Sequence, residues 1–205
     1  MIARDKKDEI RKAAIECFAR YGFEKTTMDD IGKLVGLNKA SLYYYYKNKE
    51  AIYGDAIYAE ADQAIQGFRS QLEGVHGCKK RFESYIQGRM QYIHLLFNLH
   101  QLSMDQFYRI QPTFETIYQE INKQEISLVN DMLLACLKAQ EIKSCDTRRV
   151  AEHIVTVIDA IKLKACHGKD IRFAKDINYD AIAEDMIFTV GLILDGLMTG
   201  QDVQN

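Results

Sequence analysis

Lysine residues are concentrated between Asp30 and Glu50, a stretch of the chain that contains no acidic residue. The lysines in this stretch are Lys33, Lys39, Lys47 and Lys49. Such a surface attracts a polyanion, because no carboxylate is present to repel phosphate groups. The charges alone are equally typical of a solvated helix face. The spacing of the neighbouring residues therefore has to decide between the two interpretations.

Four consecutive tyrosines, residues 43–46, fall inside the same stretch. Phenolic hydroxyls bond phosphate oxygens, while the rings pack against sugars or neighbouring helices. Consecutive residues on a helix point in every direction, so at least one of these tyrosines must face a core. Tyr46 lies four residues after Leu42, on the same side of a helix, so we expect Tyr46 to be the core residue. A buried Tyr46 needs a hydrogen-bond partner for its hydroxyl. Tyr44 fits a core or a surface position equally well.

Catalytic and metal-binding motifs are absent from the sequence. It contains no P-loop, GxGxxG, HExxH or GxSxG motif, so we expect neither an enzyme nor a bound cofactor. His76 lies near Cys78, and Cys166 adjoins His167, but neither pair has the spacing of metal ligands. No metal site is therefore expected.

The sequence also predicts a cytoplasmic location. The chain has five cysteines and no CxxC pair, which is typical of reduced thiols. Its first residues show no signal-peptide pattern, and the longest apolar run, residues 186–194, is too short to cross a membrane. We expect no contact with a membrane.

The apolar residues recur with a helical period and predict an all-α fold of about nine helices, including a short one near residues 100–110. Gly22 is placed to end the first helix, and Asn48 to cap a long connecting helix. We therefore expect two domains, a small head of residues 1–47 and a larger domain of residues 48–205.

Inside the head, two short helices are expected to cross over a tight turn. Thr27 caps the first of them, Gly36 permits the turn, and Asn38 caps the second. Gly32 lies where the helices cross, and its small size lets the backbones approach. The apolar residues spaced to hold the two helices together are Ile31, Val35, Leu37 and Leu42. This arrangement is a helix-turn-helix.

The same residues resemble the TetR (tetracycline-repressor-like) family of regulators over positions 5–55. The matching motifs are Thr26-Thr27, Ile31-Gly32, Val35-Gly36-Leu37, Ser41-Leu42-Tyr43 and Lys47-Asn48-Lys49-Glu50. The chain departs from the family pattern at Gly32, where alanine is usual, and at Tyr46, where phenylalanine is usual. The resemblance implies a transcriptional regulator, by default a repressor, that binds double-stranded operator DNA.

The candidate DNA-binding residues surround the second helix of this motif. They are Thr27, Asn38, Lys39, Ala40, Ser41, Tyr43, Tyr44, Tyr45 and Lys49. A helix that begins at Asn38 enters the major groove by its N-terminus and offers the residues that follow to base edges. The tyrosines and Lys49 are expected at phosphates. Thr27 is either a purely structural cap or a cap that also serves a phosphate.

One such head reads few base pairs, so we expect a homodimer on a palindromic site. The apolar stripes of the last two helices are the candidate interface, as in the family, or else only core. The interface residues selected are Ile154, Ile158, Ile161, Met186, Val190 and Leu194.

The resemblance also implies a small-molecule effector. Residues 89–108 mix methionines, aromatic residues and histidines, which is typical of an adaptable, largely apolar pocket. The candidate pocket residues are Met90, His94, Phe97, His100, Met104 and Tyr108. Each of them is also an ordinary core residue by its helical spacing. A rival interpretation is a helical interaction module whose head binds protein, which the acid-free stretch disfavours.

Overall fold

Eight helices form the secondary structure of the part of the chain that the computed structural model describes, which is residues 2–100, 115–166 and 176–199. They are α1 (Ile2–Tyr21), α2 (Met28–Leu34), α3 (Lys39–Tyr45), α4 (Lys49–Leu72), α5 (Cys78–His100), α6 (Glu115–Lys138), α7 (Thr147–Cys166) and α8 (Tyr179–Leu197). None of these helices is long and apolar enough to cross a membrane. The all-α prediction is confirmed, and the helix expected near residues 100–110 lies outside the described residues.

The helix boundaries in the head follow the caps and glycines of the sequence. Gly22 and Gly36 both have positive φ angles, of 79° and 65°, which side chains larger than glycine rarely adopt. The side-chain oxygen of Asn38 accepts a hydrogen bond from the N–H of Ser41 at 2.8 Å. Asn48 caps α4 in the same way. The predicted starts of α3 and α4 are therefore confirmed.

Two hydrophobic cores organise the chain. The head core is formed by α1, α2 and α3 together with Ile52 and Tyr53 of α4. The second core is formed by α5 to α8 together with Ile65, Phe68 and Leu72 of α4. The connecting helix therefore belongs to both cores. Its first turns pack with the head, although the boundary expected from the sequence assigns them to the larger domain.

The apolar stripes of α7 and α8 face the second core of the same chain. Five of the six residues selected for the dimer interface are at most 1% exposed, namely Ile154, Ile158, Met186, Val190 and Leu194. The sixth, Ile161, is partly buried against the same core. A side chain without exposed surface in the single chain cannot contact a second subunit. The selection of those five residues as dimer contacts is therefore corrected, because they complete the core of the chain itself, while Ile161 stays a prediction.

Candidate DNA interface

The crossing of α2 and α3 depends on a close approach at Gly32. The backbone N–H of Leu37 donates to the carbonyl oxygen of Gly32 at 2.9 Å. A Cβ atom added at Gly32 meets the carbonyl oxygen of Leu37 at 2.8 Å, closer than carbon and oxygen atoms normally approach. Ile31 and Leu42 are completely buried between the helices. The helix-turn-helix packing predicted from these residues is confirmed.

A reciprocal pair of hydrogen bonds forms the start of α2. The hydroxyl oxygen of Thr27 accepts from the N–H of Asp30 at 3.2 Å, and Oδ2 of Asp30 accepts from the N–H of Thr27 at 2.9 Å. The Thr27 hydroxyl also donates to Oδ2 of Asp30 at 2.6 Å. These bonds from the side chain and backbone of Thr27 lower the pKa of Asp30. Thr27 is exposed, so its capping role leaves one side of the hydroxyl open to solvent.

The beginning of α3 lies on the surface of the head. Asn38, Lys39 and Ala40 are exposed, and Ser41 is half-buried. Leu42, one position further on, points into the head core and holds the helix in place. The residues expected at base edges therefore share the outer side of a short helix that is fixed from within.

The four tyrosines divide between surface and core. Tyr44 is 85% exposed and Tyr43 is 46% exposed, while Tyr45 is half-buried with its ring edge-on to that of Tyr44. Tyr46 is buried, and its hydroxyl donates a hydrogen bond to Oδ2 of Asp55. Burial first, and then the bond to Asp55, raise the pKa of Tyr46 far above its usual value, so the hydroxyl stays a donor. The predicted core position of Tyr46 is confirmed.

Lys49 is placed differently from the other lysines of the stretch. Its Nζ donates to three backbone carbonyl oxygens, those of Phe23 at 2.7 Å, Glu24 at 3.1 Å and Thr26 at 3.1 Å. It also lies 4.7 Å from the centre of the Phe23 ring. An ammonium group has three N–H donors, so these bonds use all of them inside the head. The geometry gives Lys49 a structural role, in contrast to the phosphate contact expected from the sequence.

The remaining basic groups of the stretch face solvent. Lys33, Lys39 and Lys47 are exposed. Lys25, on the loop that leads to α2, is exposed as well and was not selected from the sequence. In the sequence, only its position immediately before Thr26 could have indicated that Lys25 lies near the DNA interface. The surface around the start of α3 therefore carries positive charges that no described ion pair neutralises.

The residues expected in an effector pocket lie on α5 or beyond it. Met90 is buried in the second core, and the ring of His94 stacks on that of Tyr179 with 4.5 Å between centres. The other four fall outside the described residues or side chains, namely Phe97, His100, Met104 and Tyr108. A cleft of about 550 Å³ opens between the starts of α4 and α6, and neither Met90 nor His94 lines it.

A buried arginine lies beside Met90 in the second core. Arg89 is 6% exposed, and its Nε donates to Oε1 of Glu125. Its Nη2 donates to Oε2 of Glu125 at 3.2 Å and to Oδ1 of Asp159 at 2.7 Å. Among the described residues, Nη1 has no hydrogen-bond partner. No pattern in the sequence indicates this group, because the carboxylates come from α6 and α7, far along the chain.

Further donors surround the two carboxylates. The hydroxyl of Tyr85 donates to Glu125, and that of Tyr118 donates to Asp159 at 2.6 Å. Nζ of Lys162 donates to Asp159 at 2.7 Å. Burial opposes ionisation of Asp159, but Lys162 and Arg89 outweigh it and hold its pKa well below the usual value. The group is therefore a balanced set of two cations and two anions.

Comparison with known proteins identifies the head. A family model described as bacterial regulatory proteins of the tetR family matches residues 10–56. The head is a TetR-family helix-turn-helix domain. A segment of 51 residues is 51% identical to the biofilm operon icaADBC HTH-type negative transcriptional regulator IcaR of Staphylococcus epidermidis. That match covers 25% of this chain and 28% of the relative, so it concerns the TetR-family head alone.

Solved structures extend the similarity to the larger domain. A transcriptional regulator from Cytophaga hutchinsonii is similar over 94% of this chain and 98% of its own, with 25% identity and a TM-score of 0.75. A TetR-family transcriptional regulator from Pectobacterium atrosepticum covers 96% of each chain at 12% identity, with a TM-score of 0.69. At that identity the second likeness concerns the fold alone. The TetR-like fold continues past the head through α4 to α8.

Proposed function

We propose that this protein is a sequence-specific DNA-binding transcriptional regulator that acts as a repressor. The observation that carries the proposal is the exposed start of α3, which is fixed by Leu42 from within and lies in a lysine-containing stretch with no acidic residue between Asp30 and Glu50. A helix N-terminus with free backbone donors and basic neighbours suits the phosphate-lined major groove. The likeness of the head to a negative transcriptional regulator supports repression.

In the proposed complex, base edges and phosphates are contacted by different residues. Lys39, Ala40 and Ser41 face the bases from the first turn of α3, and Asn38 holds that turn in shape through its cap. The phosphate contacts that we propose come from Thr27, Tyr43, Tyr44 and Tyr45. Lys49 takes no part in them, because its donors are bonded to carbonyl groups of the head.

We further propose a homodimer that joins through the outer faces of α7 and α8. Phe188 and Leu192, one turn apart on α8, are 69% and 58% exposed, and Leu163 on α7 is 49% exposed. Large apolar side chains grouped on a surface are typical of interfaces. These residues replace the buried ones selected from the sequence. Two-fold symmetry then presents the two heads to successive turns of one palindromic site.

The effector that we propose enters the second core beside Arg89 and releases the repressor from DNA. The unbonded Nη1 of Arg89 favours a ligand that carries an acceptor oxygen, since a buried N–H without a partner costs free energy. Met90, the next residue along α5, supplies apolar surface. The proposed effector is therefore a largely apolar molecule with one hydrogen-bond acceptor.

Selection of bound DNA from a random pool tests the regulatory function. We expect a palindromic site whose half-sites lie about one helical turn, or a multiple of it, apart. Lys39→Ala is expected to reduce the difference in binding free energy between matched and mismatched sites by about 1–3 kcal/mol. Fluorescence anisotropy on both kinds of site measures this difference. The control is Lys143→Ala, which removes an exposed lysine of the larger domain.

The same experiment distinguishes the regulator from the alternative function, a helical module whose head binds protein. A helical module that binds protein through its head yields no enriched sequence and no salt-sensitive DNA binding at low ionic strength. That outcome overturns the regulatory proposal. Recovery of a non-palindromic site overturns only the dimer.

A further inference from the structure

Two thiols and a carboxylate meet where α5 begins and α6 ends. Cys78 is the first residue of α5, Cys136 lies in the last turn of α6, and Glu141 follows just after that helix. One potential ligand atom from each of the three lies within 4.8 Å of the other two. Both cysteines are buried, with 2% and 0% exposed. None of them takes part in the DNA interface or in the Arg89 cluster.

The backbone fixes the three groups relative to one another. Gly77 has a φ angle of 88°, so a glycine turn leads the chain into α5 at Cys78. The N–H of Glu141 donates to the carbonyl oxygen of Cys136 at 3.0 Å. The carbonyl oxygen of Glu141 in turn accepts from the N–H of Thr199 at 3.1 Å. The ligand groups are therefore held in place before anything binds.

Arg81, one turn into α5, brings a positive charge to the cluster. Its Nη1 lies 3.6 Å from Sγ of Cys136 and 3.5 Å from Oε2 of Glu141. Its Nε donates to the carbonyl oxygen of Val75 at 2.9 Å, which fixes the guanidinium. The guanidinium therefore places a positive charge beside both the Cys136 sulfur and the Glu141 carboxylate.

The carboxylate has an oxygen available for a ligand bond. Oε2 of Glu141 is enclosed and accepts no hydrogen bond within the described part of the chain, although the charge of Arg81 lies nearby. Buried acceptors without a donor are rare in proteins, and a bound ion is one of the usual partners of such an oxygen.

We propose that Cys78, Cys136 and Glu141 form a binding site for a thiophilic divalent cation of the zinc class. Two sulfur ligands and one carboxylate oxygen suit the tetrahedral preference of Zn²⁺ and leave the fourth position to water. The charges also balance. Two thiolates and one carboxylate carry three negative charges, which match the two of the cation and the one of Arg81.

The expectation of no metal site rests on pairs of ligands that lie close together along the chain. Cys78 and Cys136 are far apart in sequence and are brought together only by the packing of α5 against α6. The same two thiols are also the atoms that an oxidant would join in a disulfide. Their burial restricts the access of oxidants, so cation binding is the use that the geometry favours.

Titration of the reduced, full-length protein with Co²⁺ tests the proposal. We expect an absorption band from thiolate-to-cobalt charge transfer, which disappears when Zn²⁺ displaces the cobalt. The melting temperature is expected to rise with the concentration of free Zn²⁺, because the ion binds the folded chain. Cys78→Ser and Cys136→Ser are expected to abolish the band. The control Cys145→Ser, at a half-buried thiol outside the cluster, is expected to retain it.

A carboxylate variant keeps the test decisive if a cysteine variant does not fold. Glu141→Gln retains the size of a partly exposed side chain and is expected to weaken Zn²⁺ binding by about tenfold or more. Unchanged affinity in Glu141→Gln, or a cobalt band that survives in folded Cys78→Ser, overturns the proposal. A third outcome also overturns the proposal: the reduced protein shows no cobalt band, and exposure to air lowers its number of free thiols by two. That result favours a redox-active cysteine pair.

Discussion

The hydroxyl of Tyr46 donates a hydrogen bond to Oδ2 of Asp55, and this bond ties the residue that follows α3 to the second turn of α4. Nη1 of Arg11 approaches the same oxygen at 3.3 Å from α1. A single carboxylate therefore joins three helices of the head. The bond fixes the end of α3 whose beginning carries the proposed base contacts.

Removal of this hydroxyl is expected to destabilise the head. Tyr46→Phe leaves the ring in the core but deprives the carboxylate of a donor, which costs about 1–2 kcal/mol of the free energy of unfolding. Urea denaturation followed by circular dichroism measures the difference. Tyr44→Phe, at an 85% exposed position, is the matched control and is expected to change nothing. Equal urea midpoints for Tyr46→Phe and Tyr44→Phe would contradict a stabilising role of the bond between Tyr46 and Asp55.

Lys49 is expected to act on stability and not on the salt dependence of DNA binding. Lys49→Met leaves three carbonyl groups without their common donor and lowers the free energy of unfolding by about 1–3 kcal/mol. A phosphate ligand, once removed, reduces the slope of log K against log salt by about 0.9. We expect the slope to stay unchanged. Lys47→Met, at an exposed lysine nearby, is expected to leave the stability unaffected.

The cap of α2 predicts a dependence of stability on acid pH. The pKa of Asp30 is lowered in the folded state, so its contribution is fully present above the unfolded value, which is about 3.9, and is lost as the pH falls through the folded value. The wild type is expected to be more stable than Asp30→Asn near neutral pH. This difference is expected to shrink below about pH 4. A difference that stays constant down to the acid range contradicts the pKa shift.

Phe188 offers a test of the proposed homodimer. Phe188→Glu places a charge on the outer face of α8 and is expected to convert the dimer to a monomer, because burial of an unpaired carboxylate opposes association. Analytical ultracentrifugation at several protein concentrations gives the oligomeric state. The control is Leu134→Glu, which changes an exposed leucine on α6. A monomeric wild type, or a dimer that tolerates Phe188→Glu, argues against this interface.

The local features of the head were predictable because each depends on neighbours in sequence. The caps at Thr27, Asn38 and Asn48 form bonds to residues three positions further on, and these spacings are visible in the chain. The positive φ of Gly36 follows from the residue type and from its place between two helical periods.

Features that depend on packing between distant helices were not predictable in the same way. The stripes that contain Ile158 on α7 and Met186 on α8 have the same period whether they meet their own chain or a second copy, so the pattern could not separate core from interface. Lys49 looked like a free cation because its acceptors are backbone oxygens, which no sequence pattern marks. Arg89 gave no signal because its carboxylate partners lie on other helices.

Because α4 is buried in the head core at one end and in the second core at the other, it couples the two mechanically. A helix of 24 residues is a rod about 36 Å long. A tilt of about 10° at the end near Leu72 displaces the end near Lys49 by about 6 Å, which is slightly more than the pitch of an α-helix, about 5.4 Å. In the proposed dimer, rearrangements of side chains deep in the larger domain would therefore change the spacing of the two heads without any contact to them.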